Sequence, residues 1–127
     1  MARILVVDDS PTERRAFGDV LRGGGHEVVE CAHSRALPDW TREPSPDLIF
    51  LDIVMPEENG FQACRRLRAD AATRDVPIVF VTSRGDASDR EWGLRQGAVA
   101  YLVKPVPEGE IHGIIAALLR PRRAGRR

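Results

Sequence analysis

Asp8, Asp9, Asp52, Thr82 and Lys104 are the side chains whose types, taken together, could do chemistry, and each stands at the end of a short apolar run. Brought to one edge, three aspartates cannot all stay ionised cheaply, so the cluster calls for a cation. An all-oxygen site with few protein ligands suits hydrated Mg²⁺ better than zinc. Lys104 supplies a further positive charge, and it is the only lysine in a chain that otherwise uses eighteen arginines. A site that needs a compact ammonium on a flexible stem, which a planar guanidinium fork cannot imitate, would explain its retention; chance survival is the plain alternative. A carboxylate beside a divalent metal and an ammonium is an oxygen nucleophile placed where a phosphoryl group's equatorial oxygens would be neutralised. Asp52 is the candidate acceptor. Thr82 could donate to one phosphoryl oxygen, the metal could take a second, and Lys104 the third.

The elements that must position these residues are legible as a β-α repeat. Apolar runs recur at "RILVV" (3–7), "EVVEC" (27–31), "DLIFL" (47–51), "PIVFV" (77–81) and "AYLV" (100–103). Runs as continuous as "LIFL" and "IVFV" suit strands covered on both faces, as in a parallel sheet with helices on either side. "SPTE" predicts a first helix with Ser10 as N-cap, Pro11 at the first helical position and Glu13 closing a capping box. "GGG" at 23–25 reads as that helix ending in a turn. Later helices are expected over 60–69, 86–96 and 107–119. Pro38 interrupts the remaining connection, which predicts a short or distorted second helix. Right-handed crossovers then give an α/β fold, a flavodoxin-like three-layer (βα)5 domain with a five-stranded parallel sheet. The favoured strand order for such a domain is 2-1-3-4-5. In such sheets the site lies beyond the carboxyl ends of the strands, where Asp8 and Asp9, Asp52, Thr82 and Ser83, and Lys104 all fall.

Composition narrows the function classes. With 127 residues, 43% hydrophobic and 30% charged, the chain is sized for one domain with a two-sided core. The expected division is a domain over 1–119 and a basic tail over 120–127. The formal charge of zero hides an acidic body and that tail, "RPRRAGRR". An acidic body argues against direct nucleic-acid binding, and a short arginine-rich end reads as a solvated terminus before it reads as a binding arm. Cys31 and Cys64 lie far apart without a CxxC pair or a histidine cluster, so they indicate neither zinc nor redox chemistry. "MARILVVDDS" is too short in its apolar run for a signal peptide or membrane span, which makes a cytoplasmic protein the expectation.

"VVDDS", "LDIVMPEENG", "VTS" and "YLVKPV" together resemble the receiver domain of two-component response regulators, of the chemotaxis-regulator class, over about residues 2–119. The resemblance implies that Asp52 takes a phosphoryl group from a histidine kinase. It also implies that Asp9, Asp52 and the backbone carbonyl of Val54 bind Mg²⁺, with Asp8 assisting indirectly. Thr82 and Tyr101 would form the switch, the hydroxyl moving toward the phosphoryl group and the ring turning inward. The bond before Pro105 is typically cis in the family. Output to a downstream protein would use the fourth helix (86–96), fifth strand and fifth helix (107–119), with Trp92 either a contact there or packed on the helix surface. "DDSPTE", "DIVMPEENGFQACRRL" and "EWGLRQGA" are similar to receivers of the chemosensory systems that govern type IV pilus twitching motility. Pro38 and Trp40 depart from the usual second helix. Glu57 and Glu58 read as solvated charges on the loop after Asp52, with tuning of metal affinity or phosphoryl lifetime as the alternative.

Other readings fit less of the sequence. Haloacid-dehalogenase-type phosphatases also form an aspartyl phosphate, but they need a second aspartate two residues on, where this chain has Val54. A flavin site would want hydroxyls and free backbone N–H groups where "DDSPTERR" puts two anionic side chains. A scaffold that keeps the fold without phosphorylation would not need every acceptor-site residue. The expectation is therefore a regulatory domain that phosphorylates and dephosphorylates itself, not an enzyme acting on other substrates.

Overall fold

A computed structural model describes residues 2–36 and 45–119. The strands are β1 (Arg3–Val7), β2 (Glu27–Cys31), β3 (Leu48–Leu51), β4 (Ile78–Thr82) and β5 (Ala100–Val103). The helices are α1 (Pro11–Gly23), α2 (Gly60–Ala69), α3 (Ala87–Arg95) and α4 (Glu108–Leu118). All neighbouring strands pair in parallel, in the order β2-β1-β3-β4-β5. The segment expected to hold the second helix, including Pro38 and Trp40, lies outside the described residues, as does the tail. What is described of that connection is one 3-10 turn, Ser34–Ala36. The helices expected over 86–96 and 107–119 are α3 and α4.

Period-two alternation sends successive residues of each central strand into opposite cores. Leu5, Val7, Ile49, Leu51, Ile78 and Phe80 meet Ala63, Cys64 and Leu67 of α2 on one face. Ile4, Val6, Leu48, Phe50, Val79 and Val81 meet Leu21 of α1 and Ile111 and Ile115 of α4 on the other. β3 and β4 are buried along their whole length, which is why they read as continuous apolar runs. Each fully buried side chain such as Phe50 or Phe80 contributes roughly 1.5–3 kcal/mol of burial. Cys31 and Cys64 are buried, as small core residues should be.

Helix termini follow local chemistry, with one correction. The Ser10 hydroxyl accepts from the Glu13 N–H at 3.3 Å and Pro11 opens α1, but the reciprocal half of the expected capping box is absent. The Ser10 N–H donates instead to Asp8 Oδ1 at 2.9 Å, and the Glu13 carboxylate binds Lys104. A full capping box stands at α2, between Asn59 and Gln62, which the sequence reading did not pick out. Helix α3 is anchored lightly, since Gly93 is its one buried residue. A Cβ at Gly93 would lie 3.0–3.1 Å from the Phe80 and Tyr101 rings, so the glycine lets the helix sit close on those aromatics. No helix among the described residues is long and apolar enough to cross a membrane.

Candidate functional site

Asp8, Asp52 and Lys104 each sit one step beyond a strand, on a sheet hydrogen bond that continues past the strand end, while Thr82 is the last residue of β4. The Asp8 N–H donates to Cys31 O at 3.1 Å, the Asp52 N–H to Val7 O at 3.0 Å, and the Lys104 N–H to Thr82 O at 2.8 Å. Three backbones are thereby fixed before any side chain is placed. Carboxylate oxygens of Asp8, Asp9 and Asp52 lie within 4.8 Å of one another.

Lys104 ties the cluster together. Its Nζ donates to Asp8 Oδ2 at 2.7 Å and Asp52 Oδ2 at 3.1 Å, and also contacts the Glu13 carboxylate. Asp8 Oδ1 accepts from the Ser10 N–H, so both Asp8 oxygens are engaged; Asp52 Oδ1 accepts from the Ile53 N–H at 2.7 Å. Asp9 is exposed, and its carboxylate has no hydrogen-bond partner among the described residues. Burial pushes the Asp52 carboxyl above its ordinary value, with the Asp8 charge adding to the rise and Lys104 opposing it. For Lys104, burial works against the charge, but the bonds to Asp8 and Glu13 and the charge of Asp52 outweigh it and raise the pKa. Glu13 is the site residue that sequence reasoning missed. The signal was present, because a glutamate in the first turn of a helix that starts beside Asp8 and Asp9 must face the same edge.

Four carboxylates against one ammonium leave the edge with a surplus of negative charge. The donor set is all oxygen, and Asp9 offers a carboxylate with free lone pairs. This fits a hard divalent cation such as Mg²⁺ and does not fit zinc. The cluster opens into a cleft of about 730 Å³ whose walls also include Ser83 and, between α1 and α4, Phe17, Val20, Val106 and Ile111.

Thr82 and Tyr101 meet through the backbone of one residue, Arg84. Thr82 is fully buried and its Oγ1 accepts from the Arg84 N–H at 3.3 Å, while Tyr101 is buried and its hydroxyl donates to Arg84 O. It is Ser83, rather than Thr82, that lines the cleft. The Tyr101 ring already lies inward, edge-on to Phe80 at 6.1 Å and beneath the Arg90 guanidinium at 5.6 Å. Lys104–Pro105 is cis. Trp92 is 46% exposed on α3, with Leu94 and Val99 also exposed.

The loop after Asp52 is held more tightly than its charges suggest. A Cβ on Gly60 would lie 2.4 Å from Asp52 O and 2.8 Å from Ile53 Cα, so only glycine lets α2 start against the end of β3. Glu57 is exposed and pairs with Arg35 at 3.2 Å. Glu58 is not a solvated charge: it accepts from Arg66 through both carboxylate oxygens and from the Ser34 hydroxyl, and the Arg66 bonds hold its pKa below the ordinary value. Val54 stands exposed in the same loop.

A parallel 2-1-3-4-5 sheet with an aspartate cluster and a lysine beyond its carboxyl edge defines a class of signalling domain rather than of small-molecule enzyme. Residues 4–116 match the response regulator receiver domain, and the chain belongs to that family, a phosphorylation-dependent switch of two-component systems. It is 44% identical to Protein PilH of Pseudomonas aeruginosa over 119 residues, 94% of this chain and 98% of that one. A response-regulator structure from Chloroflexus aurantiacus superposes with a TM-score of 0.89 at 31% identity, covering 94% of this chain and 98% of the other. The receiver domain of the sensor histidine kinase PA1611 from P. aeruginosa superposes with a TM-score of 0.85 at 30% identity, covering 94% and 98%, and that structure carries a magnesium ion in its active-site cleft. For transcriptional regulators that also match, the chain spans about half the relative's length.

Proposed function

We propose that this receiver domain takes its phosphoryl group on Asp52 and signals through the face made by α3, β5 and α4. The observation that carries the reading is the Lys104 ammonium bonded to both Asp52 and Asp8 inside a three-aspartate cluster. In the transfer, an Asp52 oxygen attacks phosphorus, and the bond from phosphorus to the donor, a kinase histidine nitrogen or the oxygen of an acyl phosphate, breaks. Lys104 neutralises charge on one phosphoryl oxygen and Thr82 reaches a second. Asp9, Asp52 and the Val54 carbonyl would hold Mg²⁺, with Asp8 acting indirectly, as the family resemblance implies. When bound, the ion would supply charge neutralisation at the transferring group. In the reset, water attacks phosphorus, the bond from phosphorus to the Asp52 oxygen breaks, and inorganic phosphate leaves the carboxylate free.

Output follows from Arg84. A Thr82 hydroxyl drawn toward the phosphoryl group gives up the Arg84 N–H, while Tyr101 still holds the Arg84 carbonyl, so the start of α3 is re-biased against the ring. Because Tyr101 is already buried, the switch shifts a population rather than creating a new rotamer. The lightly anchored α3 is the element that can respond, and exposed Trp92 is its candidate contact. The twitching-motility motifs, together with the identity to PilH, favour a chemosensory pathway of the type IV pilus, with a cognate histidine kinase upstream and a protein target downstream. No DNA contact is needed. The test is incubation with acetyl phosphate and Mg²⁺ followed by location of the adduct. Modification of Asp52 alone is expected; a stable adduct on serine or histidine, or none with metal present, would sink the reading.

A further inference from the structure

Glu57, two residues after Met55 in the loop that follows Asp52, holds a left-handed backbone, φ 69°. Such a conformation costs a non-glycine residue on the order of 1–3 kcal/mol and persists only where the surroundings over-determine it. The Arg35–Glu57 pair does not do so, since both side chains are about two-thirds exposed and a surface pair is worth little. The neighbouring residue does. Arg66 Nε and Nη2 donate to the two oxygens of Glu58 at 2.9 and 2.8 Å, and the same Nη2 donates to Ser34 O at 3.0 Å. The Ser34 hydroxyl, on a residue that is 1% exposed, donates to Glu58 Oε1 at 2.7 Å. Three segments are thus pinned at one point: the turn after β2, the loop after β3 and the body of α2. On its far side the loop is closed by the Asn59–Gln62 capping box and by the Gly60 N–H, which donates to Ile53 O at 2.9 Å.

We infer that Glu58, Arg66 and Ser34 form a positioning clamp that holds the strained 53–59 loop, and with it Val54, in register with Asp9 and Asp52 for the metal-dependent phosphoryl chemistry. The inference rests on the Mg²⁺ reading of the aspartate cluster. Bidentate geometry is the working part of the clamp, because a lysine in place of Arg66 keeps the charge but cannot span both Glu58 oxygens and Ser34 O together. Arg66 and Glu58 are positioning residues; neither touches the reacting atoms.

Charge and geometry make opposite predictions at Arg66, which gives the test its force. Removing a cation near an acidic metal site should tighten Mg²⁺ binding if charge alone matters, whereas loss of the clamp should weaken it. The experiment compares wild type, Arg66→Lys and Arg66→Ala by metal-free amide hydrogen exchange and by Mg²⁺ titration, with thermal unfolding as a check on folding. Expected are faster exchange confined to residues 53–59 in both variants and Mg²⁺ affinity weakened about tenfold, the low end for outer-shell partners of a metal site. Unchanged exchange in both variants, or Arg66→Ala binding Mg²⁺ as tightly as wild type or more so, would overturn the clamp while leaving the metal reading intact. Wild-type protein that takes up no Mg²⁺ would overturn the metal reading and the purpose assigned to the clamp with it. If Arg66→Ala fails to fold, the charge-conserving variant Arg66→Lys decides alone.

Discussion

Replacing Lys104 with methionine removes the only ammonium from a cluster of four carboxylates while keeping most of the side-chain volume. At 2.7 Å from Asp8 and 3.1 Å from Asp52, each attraction is worth roughly 5–6 kcal/mol at an effective dielectric of about 20. Most of that is offset by the desolvation of charges whose side chains are only 8–20% exposed. What a stability measurement reads is the cost of stranding the carboxylates, about 3–5 kcal/mol for a fully buried pair. Lys104 keeps some contact with water, and Asp52, already raised by burial, can take up a proton. The expected loss in metal-free protein at neutral pH is therefore about 2–3 kcal/mol, or roughly 6–12 °C in Tm for a domain of this size. The sign with pH follows from Asp52. A folded-state carboxyl pKa above the unfolded value means that stability falls as pH rises out of the ordinary carboxylate range through the folded pKa. Losing Lys104 lifts that pKa further, so the variant should approach wild type near about pH 4 and fall behind it toward pH 7. Lys104 itself, with its pKa raised, keeps its full contribution below the ordinary lysine value, so none of this window reflects its own titration. Thermal unfolding from acid to neutral pH, with chelator and then with Mg²⁺, measures both effects. Mg²⁺ should stabilise the variant more than wild type, because it restores a counter-charge that the ammonium otherwise supplies. An unchanged Tm at neutral pH, or a drop that does not vary with pH, would refute the argument.

Other substitutions probe the same edge from different sides. Gly60→Ala would put a Cβ 2.4 Å from Asp52 O, about 1 Å inside contact with backbone atoms that cannot yield; a loss of about 3 kcal/mol and impaired acetyl-phosphate labelling are expected, read by denaturant unfolding and mass spectrometry. Lys104→Arg should keep Tm within a few degrees and still accept phosphate, yet weaken partner binding, because the guanidinium is too wide to reach one phosphoryl oxygen beside Asp52; an arginine variant that switches like wild type would make the lone lysine an accident. Asp9→Ala should weaken Mg²⁺ binding more than Asp8→Ala in a metal titration, since the Asp9 carboxylate is free and both Asp8 oxygens are bonded; equal losses would count against that division.

The strands and the four described helices were legible to within a residue or two, because buried parallel strands write themselves as continuous apolar runs and leave helix-length segments between them, the first of which also announces its start with a capping serine and a proline. The site followed from the strands, since an element's last residue is also the residue at the sheet's carboxyl edge. What failed to read was the choice between competing partners. "SPTE" promised a reciprocal cap, but a glutamate beside a lone ammonium binds the charge and leaves the weaker backbone bond to Asp8. Glu58 looked solvated because its partners, Arg66 and Ser34, are 8 and 24 residues away. Neither contact is periodic, so neither leaves a pattern along the chain. The buried state of Tyr101 was likewise beyond the sequence, which shows an aromatic beside the lysine but not the gap left by Gly93.

The electrostatic arrangement that makes the edge reactive also keeps it from stabilising the fold, and this division lets a small input do work. Two apolar cores hold the sheet, whereas the site carries surplus negative charge and α3 buries only a glycine. A new hydrogen bond from Thr82 to a charged phosphoryl oxygen is worth about 1.5–3 kcal/mol. Against the sheet, with its many buried rungs, that amount moves nothing. Against the contacts of α3 it is enough to change a two-state ratio by about 10- to 150-fold, the range over which ligands couple distant sites. On the proposed switch the signal would leave through the Arg84 backbone, whose N–H donates to the Thr82 hydroxyl and whose carbonyl accepts from Tyr101, and would be read where α3 exposes Trp92.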